Sequence, residues 1–521
     1  MLHTQSGPFD ALARRNLLAA FGLAALVALA IFLRLQPILI EPSAVWPDEI
    51  FQASEPAHRL VFGSGLVPWE FQLGVRSWLL PGVIAGLMEV SRIAGDGPDF
   101  YLPLIAIAFA MLATAPVVCC FLWCRRLFGV PAALLAAMAV AVAPEAVYFG
   151  ARTLSEVVAG HLLIIALYLL EPGFRVTSYR RLCTGGALLA LVLVTRVQLL
   201  PALVPIGLSA MWRSERERVF ALLAGAAAML AAAALLDTVT LGYPLASVWR
   251  YVLYNAYYGV SSTFGVEPWW YYILGELGVW GGAGATLVLL VSIGALRRPL
   301  LLVVAVVILA VHSGIAHKEY RFIYPAVVLL TVLAGTGLAQ MVSWGQDWLT
   351  GRGISKPLGA LTATAFAVGW WCLASLQIWT GATITAYRQR MHDSLVAASF
   401  VAHGPAPCGI GLYGLAGEDW GVYGGYTFFH RPAPMYWPKN KAALIATSPG
   451  FDTLLYTEAP PPVAGFTTLQ CIGEVCIARR HSSCRRIPSE PLPIPEILLQ
   501  TMAVTPSQSQ ASASTDADRD R

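Results

Sequence analysis

The chain has 521 residues, 57% of them hydrophobic and only 12% charged, with a mean hydropathy of +0.64. Soluble domains carry about 25% charged residues, so a soluble globular enzyme is excluded and a polytopic membrane protein is indicated. The net charge of +4 does not point to nucleic acid, because the basic residues fall in short loops between apolar runs, the positive-inside pattern.

Apolar runs lie near 16–40, 77–94, 100–123, 131–149, 155–171, 183–196, 197–212, 219–240, 270–295, 299–316, 322–344 and 358–382. Many approach the ~20 residues needed to cross a bilayer, which predicts an all-α protein of about 11–13 transmembrane helices. The first run is long enough to span and has no small-residue cleavage site after it, so it reads as an anchor rather than a signal peptide. Basic clusters at Arg14–Arg15, Arg125–Arg126, Arg180–Arg181, Arg213 to Arg218, Arg297–Arg298 and Arg352 to Lys356 give a consistent alternation from residue 100 onward if all are cytoplasmic. The run 77–94 breaks the parity. Either it crosses only in part, which Pro81 and Gly82 suit, or one basic pair lies outside.

On this map one face collects the polar segments 41–76, 150–156, 241–269, 317–321 and everything after about 383. Polarity gathered on one side suggests an interfacial site rather than a channel, which would spread polar groups along whole spans. The expected organisation is a membrane domain, 1–382, with its first extracytoplasmic loop at 41–76, then a small extracytoplasmic α/β domain, 383–490, and a disordered Ser-, Ala- and Asp-rich tail, 491–521. Within 383–490 the apolar runs shorten to strand length, and Cys408, Cys471, Cys476 and Cys484 allow three full disulfide pairings. Cys471 and Cys476 flank a hairpin turn, so a bridge between two strands is one option. Cys119, Cys120, Cys124, Cys183 and Cys372 fall in or near spans and read as packing residues. The stretch "YGLAGEDWGVYGGYTFFHRPAPMYW" has the aromatics and Gly-rich turns of a sugar-binding surface, but also what any compact domain needs; a part in acceptor binding is not expected of it.

Asp48 and Glu49 stand just beyond the first span, followed by Glu55 and His58, which share a face if "DEIFQASEPAHRLVFG" forms a helix along the membrane surface, bent at Pro56. The plainer reading is a solvated loop with Asp48 as a helix N-cap. The functional reading is a general base taking a proton from an attacking hydroxyl. A metal site from Asp48, Glu49, Glu55 and His58 has no diagnostic spacing, and none is expected. Trp69, Glu70 and Arg76 follow in the same loop.

"AHKEYRFIYP" joins two strong apolar runs and gathers His317, Lys318, Glu319 and Arg321. Such loops often anchor helix ends among head groups, but the topology places this one outside, where positive residues are disfavoured. An anionic lipid headgroup would account for it. Arg152 and Arg250 are candidates on the same side, and Arg196, inside "LVTRVQLL", is a charged residue in an apolar run. Tyr251, Tyr254, Tyr257, Tyr258, Trp269 and Trp270 suit sugar stacking or, more simply, an interfacial aromatic belt.

"PDEIFQASEPAH", "WEFQLGVRSWLLP" and "HKEYRFIYP", in this order, resemble the mannosyltransferases of glycosyltransferase family twenty-two, which has the GT-C membrane fold. The likeness is strongest to the branch that extends the GPI anchor, and it covers roughly 16–382, with "ARTLSE" also similar. Trp46, and Pro68 and Phe71 in "PWEF", depart from the family pattern near where an acceptor would dock. The Ala, Gly and Leu content resembles bacterial proteins, so a bacterial inner membrane is expected, or the endoplasmic reticulum for a eukaryotic chain.

The resemblance implies an inverting transferase that moves a hexose, mannose first, from a polyprenyl-phosphate donor to a glycan or glycolipid acceptor on the extracytoplasmic face. Asp48 would be the base, with Glu49 orienting it or binding the acceptor. His317, Lys318, Arg321 and Arg152 would meet the donor phosphate. Glu55, His58, Trp69, Glu70 and Arg76 would bind acceptor or support the loop. No cofactor, metal or nucleic acid is implied. The alternatives are a glucose or arabinose donor, or a transporter of lipid-linked glycan, which would need polar residues along its spans.

Overall fold

The computed structural model describes residues 8–170, 178–212, 216–415, 419–457, 460–481, 483–489 and 492–499. Among the described residues six helices are long and apolar enough to cross a membrane: Asn16–Ile40, Pro98–Phe128, Val219–Leu241, Tyr271–Arg297, Tyr320–Gly351 and Lys356–Trp379. Shorter apolar helices are Leu79–Ser91, Val130–Val142, Ser155–Leu170, Val197–Trp212 and Pro299–Gly314, and Tyr179–Thr195 adds another. Each apolar run of the sequence thus becomes a helix of an integral, multi-pass membrane protein. Leu79–Ser91 has 13 residues, about 20 Å at 1.5 Å per residue, against a hydrocarbon core of about 30 Å.

Tyr320–Gly351 is the axis of the bundle, the most buried of the long helices. It packs against Gly284–Arg297, Val130–Val142, Ser155–Leu170 and Lys356–Trp379. Against Gly284–Arg297 the backbones nearly touch: a Cβ on Gly294 would lie 2.0 Å from the Leu333 carbonyl oxygen, and one on Gly337 2.0 Å from that of Leu290. In lipid such close approach replaces the hydrophobic effect as the force between helices. Of the membrane-domain cysteines, Cys119, Cys120 and Cys124 are buried as expected, but Cys183 and Cys372 face outward.

The C-terminal domain holds a five-stranded sheet of β1 (Ile410–Tyr413), β2 (Met435–Tyr436), β3 (Thr453–Tyr456), β4 (Thr467–Ile472) and β5 (Val475–Arg479), in the order β2-β1-β3-β5-β4. β1 is parallel to β2 and β3, while β3–β5 and β4–β5 are antiparallel. Cys471 and Cys476 face each other across the β4–β5 hairpin and are disulfide-bonded, and Cys408 bonds Cys484. Leu492–Leu499, expected within a disordered tail, is ordered, with Leu498 fully buried; the rest of 491–521 lies outside the described residues.

The first loop is helical from Asp48 to Phe62 but not exposed along a surface. A wider turn at Ile50–Ser54, where the Glu55 N–H donates to the Ile50 carbonyl, precedes Pro56, which has no N–H to leave unpaired. Gly63, at φ 75°, ends the helix in the left-handed conformation. Glu55, Pro56, Ala57 and His58 are buried, and Glu55 is bonded to Tyr426 and Thr427 of the C-terminal domain.

Candidate active site

Two cavities meet beside Asp48. The larger, about 1050 Å³, is walled by the first loop, the His317–Phe322 segment, the 251–264 loop, Trp420 and Leu492–Ile497. The smaller, about 390 Å³, is mainly apolar, with Leu79, Leu80, Leu87, Leu112, Val158 and Leu162 in its wall. Asp48, Gln52, Val75, Arg76, Arg196, Val197, Gln198 and Tyr251 line both. A larger chamber that gathers many polar and charged side chains on a largely apolar wall and a more strictly apolar slot therefore share one junction, and Asp48 is its only carboxylate among the described residues.

Asp48 is held by Arg321, which lines the larger cavity beside it. Arg321 Nη2 donates to Asp48 Oδ2, while Arg321 Nη1 donates to Glu156 Oε1 at 2.8 Å and its Nε to Glu319 Oε2. The Asp48 side chain keeps 30% of its surface exposed, whereas that of Arg321 keeps 4%. Three carboxylates thus share one buried guanidinium, which leaves Arg321 an orienting group already committed to anions. Glu319 lies low despite its burial, because Arg321 and His317 stabilise its charge. His317, with Nε2 3.2 Å from Glu319 Oε1, is raised by that hydrogen bond and lines the larger cavity.

Several expected site residues lie elsewhere. Glu49 and Arg152 are buried against each other, Nη1 3.0 Å from Oε1, and Arg152 also donates to Ser43 and to the Tyr148 carbonyl. Neither lines either of the two cavities. Their tie fastens the first loop to the segment after Phe149, since a buried carboxylate requires a partner. Lys318 spends its ammonium on the carbonyls of Glu267 at 2.7 Å, Ala316 at 3.4 Å and Ile315, pinning two loops together. It too lines neither cavity.

Glu55 accepts four hydrogen bonds: from the N–H groups of Leu66, Tyr426 and Thr427, each at 2.9 Å, and from the Thr427 hydroxyl at 2.7 Å. His58 Nε2 lies 3.0 Å from His430 Nδ1, and its Nδ1 2.6 Å from the Ser64 carbonyl. Burial lowers His58 to about 4. These two residues dock the C-terminal domain rather than touch the cavities. Asp48, Glu49, Glu55 and His58 form no set of three convergent ligands; among the described residues the one such set is Cys408, Asp452 and Cys484, whose two sulfurs form a disulfide.

Trp69, Glu70 and Arg76 do line the larger cavity. Trp69 stacks on Phe264, centroids 6.3 Å apart and planes at 16°. Gln52 Nε2 donates to Glu70 Oε1 at 2.7 Å, and burial, with the Asp48 charge adding and Arg76 opposing, raises Glu70 to about 7.

Five buried polar atoms around the larger cavity have no hydrogen-bond partner among the described residues: Arg76 Nε, Arg196 Nε, Gln198 Oε1, His312 Nε2 and Trp420 Nε1. Buried polar atoms are nearly always paired, so this clustering marks a surface suited to a polar ligand. Arg196, Nη1 3.3 Å from Ser155 Oγ and 3.5 Å from Glu156 Oε2, was legible as a charge in an apolar run. His312, inside Pro299–Gly314, carried the same signal unread. Trp420, in the C-terminal domain, also lines the larger cavity.

The Alg9-like mannosyltransferase family matches residues 24–399. The chain is 27% identical over 328 residues to GPI mannosyltransferase 3 of Yarrowia lipolytica, covering 62% of this chain and 64% of that protein. It is 25% identical over 343 residues to GPI alpha-1,2-mannosyltransferase 3 of Bos taurus, covering 64% and 63%. The match therefore spans just under two thirds of the length of these relatives. In fold the chain is similar to ArnT from Cupriavidus metallidurans bound to undecaprenyl phosphate, with TM-score 0.55 and 14% identity over 89% of this chain and 98% of that one. Sequence match and GT-C architecture agree, and the chain belongs to the Alg9-like mannosyltransferase family.

Proposed function

We propose that the chain is an inverting mannosyltransferase that takes mannose from a polyprenyl-phosphate donor and transfers it to a glycan or glycolipid hydroxyl at the extracytoplasmic membrane surface. The observation that carries the reading is Asp48 at the junction of an apolar slot and a larger cavity richer in polar and charged side chains. An isoprenoid chain needs an apolar slot beginning in the bilayer, and a sugar needs a polar chamber open to water. Only at their junction do the two halves of such a donor change character.

In the reaction the Asp48 carboxylate takes the proton of the acceptor hydroxyl as its oxygen attacks the anomeric carbon. The bond from that carbon to the phosphate oxygen breaks on the opposite side, so the configuration inverts and polyprenyl phosphate leaves. The leaving phosphate gains negative charge. Arg76 and Arg196 line both cavities, and His317 lines the larger; these are the groups suited to offset that charge. Arg321, which also lines the larger cavity, holds Asp48 in position.

The test is transfer by the purified full chain with polyprenyl-phosphate mannose and a panel of mannosides, with anomeric configuration read by NMR. Mannose transferred with inversion, and lost in Asp48→Asn, supports the reading. Retention of configuration, or full activity in Asp48→Asn, removes Asp48 as the base.

A further inference from the structure

We propose that Trp420, carried by the C-terminal domain, is an acceptor-specificity residue: its indole face receives a pyranose ring of the acceptor and presents the adjoining hydroxyl to Asp48. This rests on the transfer reaction proposed above and names the residue that reads its acceptor.

The placement of Trp420 is the first argument. Its ring meets Phe51 edge to face, centroids 5.0 Å apart at 79°. The Phe51 N–H donates to the Pro47 carbonyl at 2.9 Å, so Asp48 and Phe51 lie one turn apart on the same helix face. The next residue, Gly421, neighbours Pro47: a Cβ there would make ordinary contact with the proline ring at 3.9 Å. Trp420 therefore lies over the same turn that carries Asp48.

The second argument is rigidity. The Asp419 carboxylate accepts from the N–H groups of Gly414 and Leu415, each at 2.9 Å, and Ser394 Oγ donates to the Val422 carbonyl. The backbone on both sides of Trp420 is tied down, so the indole is held in place before any ligand arrives. The third is chemistry. Trp420 Nε1 is buried without a partner. An indole N–H in such a place calls for an acceptor atom, and a sugar hydroxyl supplies one. The stacked Trp69–Phe264 pair lines the same cavity, so Trp420 is not its only aromatic lining. Pyranose rings, apolar on their C–H faces and hydroxylated at their edges, match that lining.

Finally, Trp420 lines the larger cavity and not the apolar one. Its effect should therefore fall on the acceptor and leave the donor lipid alone. The experiment uses the full chain with polyprenyl-phosphate mannose and methyl α-mannobioside as acceptor, comparing wild type, Trp420→Phe and Trp420→Ala. The acceptor KM rises about tenfold in Trp420→Ala and about threefold in Trp420→Phe, which keeps a ring and loses the N–H, while the donor KM stays within about twofold. Melting temperature checks that both variants fold. An unchanged acceptor KM, or acceptor and donor KM rising together, overturns the inference while leaving the reaction intact. Calorimetric binding of the mannobioside separates the two readings. A wild type that binds it without transfer, with binding weakened in Trp420→Ala, sinks the reaction and keeps the acceptor site. A wild type that neither binds nor transfers overturns both.

Discussion

Arg321 grips Asp48 by one nitrogen and Glu156 by another, so a residue of the first loop and a residue of a membrane helix are held by the same guanidinium. The carboxylate beside both cavities is thus fixed by the bundle and not by its own loop. Asp48→Asn preserves the shape of the side chain and removes the proposed base. Transfer should fall about a hundredfold to ten-thousandfold, the usual worth of general-base catalysis, with the melting temperature little changed.

Arg321→Ala should behave differently. It leaves Glu156, whose side chain is fully buried, without its closest cation, and breaking a buried ion pair costs about 3–5 kcal/mol. Thermal unfolding in detergent should show the variant clearly destabilised as well as inactive. An Arg321→Ala protein that melts like wild type would mean Glu156 is served by Arg196 alone.

Glu70 supplies a pH signature. Its folded value of about 7 is well above that of an unfolded glutamate, about 4.3. Its contribution to stability is therefore complete below pH about 4.3 and is lost as pH rises through 7. Over that rise a second negative charge develops beside Asp48. The pH profile of transfer should carry an inflection near 7 that Glu70→Gln abolishes; the same inflection in the variant would assign it to another group.

Glu55→Ala strips three backbone N–H groups and one hydroxyl of their shared acceptor at the base of the C-terminal domain. A buried unpaired donor costs about 1–3 kcal/mol, so hydrogen exchange at residues 423–430 should speed up while exchange within the membrane helices stays as it was. Uniform protection across both regions would show that other contacts suffice to hold the domain.

Ala108 lines the apolar cavity. Ala108→Phe narrows it, and the donor KM should rise about tenfold or more, as pocket volume changes typically require. A short-chain donor should be affected less than a long-chain one. Equal effects on both would place the isoprenoid elsewhere.

The membrane helices were legible because lipid leaves little choice: an apolar run near 20 residues has no other stable form there. Asp48, His317 and Arg321 were legible for the complementary reason, as polar residues in an oily chain. What the sequence could not reveal was which charges cancel. Glu49 and Arg152 are 103 residues apart, and each looked like a free catalytic or phosphate-binding group until packing joined them. Lys318 looked like an anion binder, yet its partners are backbone carbonyls, which every residue carries and no pattern announces. Trp420 was hidden because its neighbour in space, Phe51, belongs to the other end of the chain.

The join between Glu55 and Thr427 spans 372 positions. In a chain made from its N-terminus, the carboxylate that seats the C-terminal domain emerges hundreds of residues before the backbone that will satisfy it. Until residue 427 has been made and delivered to the same side of the membrane, Glu55 must stay in contact with water and the wall that includes Trp420 does not exist. A truncated or stalled product would therefore possess the membrane helices and Asp48 yet present an open, unfinished chamber.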